Sequence, residues 1–147
     1  MTRVRIKVIV EGQTESAFIQ SVIAGPFGSE GIDIRPIIVS TSGKSGSVHR
    51  GGFRRHEAFQ RVKGDILRAM KQDPEAWHTT MFDLYGFPLD FPGREEANYI
   101  EDPYKKVKKL ESSLFDSIRA SFEGWPVRFI PYIQLHEFEA LLLSDPY

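Results

Sequence analysis

Acidic residues follow apolar runs at three separate places in this 147-residue chain. Glu11 closes Val8-Ile9-Val10, Asp83 ends a run that begins at Thr79, and Glu137 and Glu139 follow one that ends at Leu135. Parallel strands bring their carboxyl ends to one edge of a sheet, where open α/β folds put their ligands. Acids that converge there supply the oxygen donors that Mg²⁺ or Mn²⁺ requires. Two such ions about 4 Å apart can clamp the attacking and leaving oxygens of a phosphodiester. In the plainer alternative, Glu11 solvates a strand end, Glu15 complements a helix dipole, and the acids never meet.

The elements that must position these groups are legible from periodicity. Residues 3–10 alternate Val4, Ile6 and Val8 into a strand, and a helix follows over about 15–24. Gly12 suits a sharp backbone turn beside Glu11, and Thr14 suits an N-cap. Gly25-Pro26 should stop that helix. The second strand covers 32–40, where Ile37-Ile38-Val39 suggests burial on both faces. A helix over 56–72 carries Phe59, Val62, Ile66 and Met70 at helical spacing. The third strand spans 79–84, and an irregular stretch holds 85–101. Asp102-Pro103 starts a third helix as an N-cap acid with proline at the first helical position. Residues 127–135 form the fourth strand, running into His136-Glu137-Phe138-Glu139 and a short apolar turn. The alternation implies one α/β domain over 1–147, with a parallel sheet and helices on both faces. The chain stops at Tyr147 just after the last apolar turn opens, which reads as a truncation point.

Around the fourth strand's end two geometries compete. His136 and Glu139 share a face on a helix, whereas Glu137 and Glu139 share one on an extended segment. His136 is either structural or catalytic. His136-Glu137 does not begin an H-E-x-x-H zinc signature, because position 140 is alanine.

Charge is unevenly placed. Between Lys44 and Lys63 six cations face Glu57 alone, and between Met81 and Asp102 six acids face Arg94 alone. The Gly/Ser-rich loop 41–53 and its flank carry Lys44, His49, Arg50, Arg54 and Arg55. Arginine there could hold phosphate oxygens bidentately, or the loop could simply be solvated. Gly43-Lys44-Ser45 is not a Walker A motif, because the required glycine position is Ile38. Tyr85 and Phe87 could stack on bases or anchor their own loop. The net charge of −1 excludes a generally basic nucleic-acid binder. The absence of cysteine excludes a disulfide framework and thiolate metal sites. The chain has neither an apolar run long enough for a membrane helix nor a signal-peptide core at its start, which fits a cytoplasmic protein.

The run Val10-Glu11-Gly12-Gln13-Thr14-Glu15, with an acid ending the third strand, resembles the TOPRIM domain of topoisomerases, DnaG-type primases and OLD-family nucleases. More narrowly, VEGQTE, the FDLYGFP run at Phe82–Pro88 and HEFEALLLSDP at His136–Pro146 look like domain-of-unknown-function family 4276, a TOPRIM-like bacterial and phage group with members among defence genes. The resemblance implies a three-layer sandwich with a four-stranded parallel sheet in the order 3-2-1-4 and chain continuing past residue 147. It implies a Mg²⁺- or Mn²⁺-dependent nuclease acting on DNA or RNA. Glu11 would be metal ligand or general acid/base, and Asp83 the first acid of a D-x-D motif. Glu137 and Glu139 would complete the metal site, Glu15 would either ligate a second metal ion or stand behind the ligands, and His136 would orient groups or transfer a proton. Lys44, Arg50, Arg54 and Arg55 would hold the substrate's phosphates. Tyr85 replaces the second D-x-D acid, which argues against primase or topoisomerase chemistry. The second reading is therefore an inactive binding or regulatory module that partners an ATPase.

Overall fold

A computed structural model describes residues 3–39, 57–123, 126–136, 140 and 143. Its elements run β1 (Val4–Val10), α1 (Gln13–Phe18), a π-helical turn (Ile19–Ile23), α2 (Ala24–Gly28), β2 (Ile32–Ile38), α3 (Ala58–Gln72), β3 (Trp77–Asp83), α4 (Arg94–Ala97), α5 (Pro103–Arg119), β4 (Phe129–Ile130) and β5 (Ile133–Gln134). All strand pairings are parallel, in the order β2-β1-β3-β4, with β5 extending the pairing along β3.

This order corrects the expected 3-2-1-4. The third strand pairs with the first, so β2 becomes an edge strand instead of an interior one. The sequence contains the physical reason. Pro36 lies within β2, and a residue without an N–H is tolerated on an edge but not between two partners. Edge placement also explains why Ile38, expected to be buried on both faces, is 41% exposed. Burial on both faces belongs to β1, where Val8, Ile9 and Val10 are all buried.

Alternation along the strands sends residues to two cores. Ile9, Phe82, Phe129 and Ile133 join Phe59, Val62 and Ile66 of α3 and Leu110, Leu114 and Ile118 of α5. Val8, Val10 and Met81 meet Phe18 and Ile19 on the opposite side. An apolar hollow of about 400 Å³ lies on that second side, between Phe18, Ile19, Met81 and Ile130.

Three local expectations change. The first helical stretch passes through Gly25-Pro26 to Gly28, because a π turn resets the hydrogen-bond ladder just ahead of the proline. Pro26 then falls in the first turn of α2, where a missing N–H costs least. Thr14 is inside α1, whose N-cap is Gly12 with no side-chain cap. The fourth strand is split into β4 and β5 by Pro131 and Tyr132. There the Thr80 hydroxyl replaces the ladder, donating to the Tyr132 carbonyl at 2.8 Å and accepting its N–H at 2.9 Å. Glu111 of α5 pins the far side of the break by accepting the Ile133 N–H at 3.0 Å. The Asp102-Pro103 start of α5 is as expected, with the Asp102 carboxylate accepting the N–H groups of Tyr104 and Lys105.

Candidate functional site

Chain order makes one crevice in this sheet special. From β1 the chain moves to one side to form β2, then crosses over β1 to form β3 on the other side. The carboxyl ends of β1 and β3 therefore flank the point where the winding direction reverses, and such a crevice is where doubly wound sheets bind ligands. Glu11 follows the last residue of β1, and Asp83 is the last residue of β3. Glu15 stands in the first turn of α1, directly above this edge.

Glu11 is the most perturbed acid of the described residues. Burial, then the charges of Asp83 and Glu15, push its carboxyl up to about 9, while a backbone hydrogen bond from Asp83 acts the other way. Its Oε1 is buried with no hydrogen-bond partner. A buried polar atom left in that state costs free energy that a fold ordinarily avoids. At neutral pH and without a cation the group therefore keeps its proton.

Gly12 contributes room here rather than backbone freedom. Its backbone is extended, at φ −158° and ψ −177°, which any residue can adopt. A Cβ at this position would come within 3.1 Å of a Glu15 carboxylate oxygen. The missing side chain lets Glu15 lie back over the turn toward Glu11.

The other predicted site residues are distributed as follows. His136 is exposed just beyond β5. Glu137 and Glu139 lie outside the described residues, as do Lys44, His49, Arg50, Arg54 and Arg55. Among the described residues no group of three or more histidines and acids is placed to hold a metal ion. Glu11, Glu15 and Asp83 are thus neighbours through their charges without forming a complete cation cage. Their donor type, hard carboxylate oxygen, does suit Mg²⁺ or Mn²⁺, and the unpartnered Oε1 is an atom a cation would satisfy.

Sequence reasoning singled out Asp83 and Asp102 among the acids of 81–102 and left the others as one acidic run, and the structure separates Asp90 from that run. Asp90 accepts the Phe59 N–H at 3.1 Å and so holds the start of α3 across 31 residues of chain. Phe87 is an anchor: it is buried and stacks on Phe91 with ring centroids 4.2 Å apart. Tyr85 is its opposite, 73% exposed on the helical turn that follows Asp83. Tyr85 also lines a cavity that sequence reasoning missed, together with Arg94, Asn98 and Lys106. Arg94 and Asn98 come from an irregular stretch, and no periodicity announces that they converge with the first turn of α5.

No curated protein and no solved structure matches the chain. The model of a family described as a domain of unknown function, DUF4276, matches residues 10–147, a span that runs from the end of β1 through the HEFEALLLSDP motif. The chain belongs to the DUF4276 family.

Proposed function

We propose that this protein is a Mg²⁺- or Mn²⁺-dependent phosphoryl-transfer enzyme, a nuclease whose reaction takes place at the carboxyl ends of β1 and β3. The observation that carries the reading is the Glu11 carboxyl, with an unpartnered buried oxygen held against two further acids at a winding reversal. Burying an unsatisfied carboxyl oxygen beside two further acids opposes folding whenever that carboxyl ionises, and a bound cation would relieve the cost. The TOPRIM resemblance of Glu11 and Asp83 supports the same assignment.

Glu11 and Asp83 would hold the cation and Glu15 would support it, with Glu137 and Glu139 as further candidate donors. When bound, the ion would polarise the scissile phosphate and lower the pKa of an attacking water. The Asp83 N–H orients the Glu11 carboxyl by a backbone hydrogen bond. His136, exposed two residues beyond β5, would be available to move a proton to or from solvent.

A second reading has its own observation. Tyr85 stands where a D-x-D motif has its second acid, and no three-member ligand group is present among the described residues. Both fit a module that retains the fold without the chemistry and regulates a partner such as an ATPase. Calorimetric titration with Mn²⁺ and a cleavage assay on labelled DNA and RNA separate the two. The enzyme reading expects Mn²⁺ binding and metal-dependent cleavage, both lost in Glu11→Gln. Absence of both in the unaltered protein would leave the module.

A further inference from the structure

A cavity of about 230 Å³ opens directly after β3, on the turn that carries the chain away from Asp83. Among the described residues its charged lining consists of Arg94 and Lys106, with Asn98 between them in sequence and no carboxylate in the wall. That is unexpected inside a stretch where acids outnumber bases six to one from Met81 to Asp102. Arg94 is fixed in place. Arg94 donates to the Phe87 carbonyl at 2.8 Å, which holds the guanidinium against the cavity wall. Gly93, at φ +76°, brings α4 so close to α5 that an added Cβ would fall 2.2 Å from the Ser113 hydroxyl. Only glycine fits, and the close approach sets Arg94 on α4 relative to Lys106 on α5.

Lys106 adds a second argument. Cations near a helix N-terminus oppose the macrodipole, yet Lys105 and Lys106 occupy the first turn of α5 with no acid among them. The Asp102 carboxylate at the N-cap offsets part of that cost, and an anion approaching the cavity would offset more. Tyr85 supplies an open aromatic face at the same opening, 73% exposed. Tyr99 and Tyr104, next to Asn98 and close to Lys106 in sequence, are 89% and 69% exposed. Exposed rings beside fixed cations form the combination that binds single strands, because each base offers a π-face only when it is not stacked in a duplex.

We propose that this cavity binds one phosphate, and Tyr85 one unstacked base, of a single-stranded nucleic acid whose next phosphate reaches the acids at the ends of β1 and β3. The assignment of substrate class rests on the nuclease reading, and the binding itself does not. Arg94 and Lys106 take the phosphate oxygens, Asn98 supplies a neutral donor or acceptor to the sugar, and Phe87 forms the apolar floor.

The test is fluorescence anisotropy with a labelled oligo-dT strand in EDTA, so that cleavage plays no part. Tyr85→Ala should weaken binding about tenfold, and because the ring is mostly in solvent the variant will fold. Lys106→Gln should reduce the slope of log K against log salt by about 0.7, the loss of one phosphate contact on a single strand. A duplex of the same sequence should bind more weakly than the strand. Unchanged affinity in Tyr85→Ala together with an unchanged slope in Lys106→Gln would overturn the proposal. The same samples supplied with Mn²⁺ report cleavage separately. Binding that responds to both variants without any cleavage would keep the subsite and remove the nuclease; cleavage with binding indifferent to both would do the reverse.

Discussion

The two ends of the same sheet treat carboxylates in opposite ways. At the amino end, Asp73 meets Arg5 in a two-pronged pair at 2.8 and 3.0 Å, Asp33 meets Arg35 at 3.1 Å, and Glu75 meets Arg128 at 3.5 Å. The hydrogen bonds from Arg5 and Arg35 hold Asp73 and Asp33 below the usual carboxylate range. At the carboxyl end, Glu11 is pushed the other way by burial and by Asp83 and Glu15. Pairing is what a sequence does with acids that serve the fold. Acids crowded so that burial and like charge raise a pKa concentrate at functional sites. The contrast supports the proposal that places chemistry at the carboxyl edge.

Removing Glu11 is the strongest way to break this comparison. Glu11→Gln should abolish metal-dependent cleavage and leave stability equal at neutral pH, where Glu11 keeps its proton, and higher as pH rises, because the amide cannot ionise beside Asp83 and Glu15. Melting temperature and cleavage measured on the same preparation decide it. A drop in stability with cleavage retained would make Glu11 structural and would erase the difference between the two edges.

The second effect is the pH dependence of stability. Glu11 binds its proton more tightly folded than unfolded, since its pKa rises from 4.5 to about 9. The native state therefore holds more protons between these values, and stability should fall as pH rises through that window, by on the order of a few kcal/mol in total. Glu11→Gln should remove this fall. His78 works in the opposite direction at the amino end of β3. It is 1% exposed, and its Nδ1 carries a proton toward the Ala76 carbonyl at 3.1 Å. Burial lowers its pKa below 6.5, against the pull of the Ala69 and Ala76 carbonyls and of Asp73. The unfolded chain thus gains a proton first as pH drops below 6.5, so acid costs stability through this residue. Urea unfolding followed across pH should show both arms in the unaltered protein and only the His78 arm in Glu11→Gln.

How far the sequence disclosed all this depended on the kind of signal. Strand and helix identities followed from periodicity, and the Asp102-Pro103 cap was readable because it is a local event. The order of strands is not local: the order the resemblance implies differs from the observed β2-β1-β3-β4, and Pro36 is the residue that disfavours an interior second strand. Glu11 and Asp83 were identifiable because each ends an apolar run, and a parallel sheet sends both to one edge. The Arg94–Lys106 cavity left no such mark. It depends on Gly93 bringing a four-residue helix against α5, and a glycine in an irregular stretch carries many meanings until its neighbour in space is known. Asp90 likewise looked like one more acid, and only the fold shows that it caps α3.

The smallest effect tests the paired edge. Asp73→Asn removes a carboxylate whose partner Arg5 is 40% exposed, and solvent screens such a pair strongly. Its loss should lower Tm by roughly 2 °C at neutral pH. The sign of the pH dependence is fixed by the lowered pKa. Asp73 is more acidic folded than unfolded, so its contribution is complete above the ordinary value of 3.8 and disappears as pH falls through the folded pKa. The variant and the unaltered protein should therefore differ at neutral pH and converge in strong acid, whereas the Glu11→Gln difference should widen as pH rises. High salt supplies a further separation, shrinking the Asp73 effect because the pair is at the surface while changing the buried Glu11 effect much less. If both variants responded alike to pH and salt, the two edges would be electrostatically equivalent, and the crowding at Glu11 would lose its meaning.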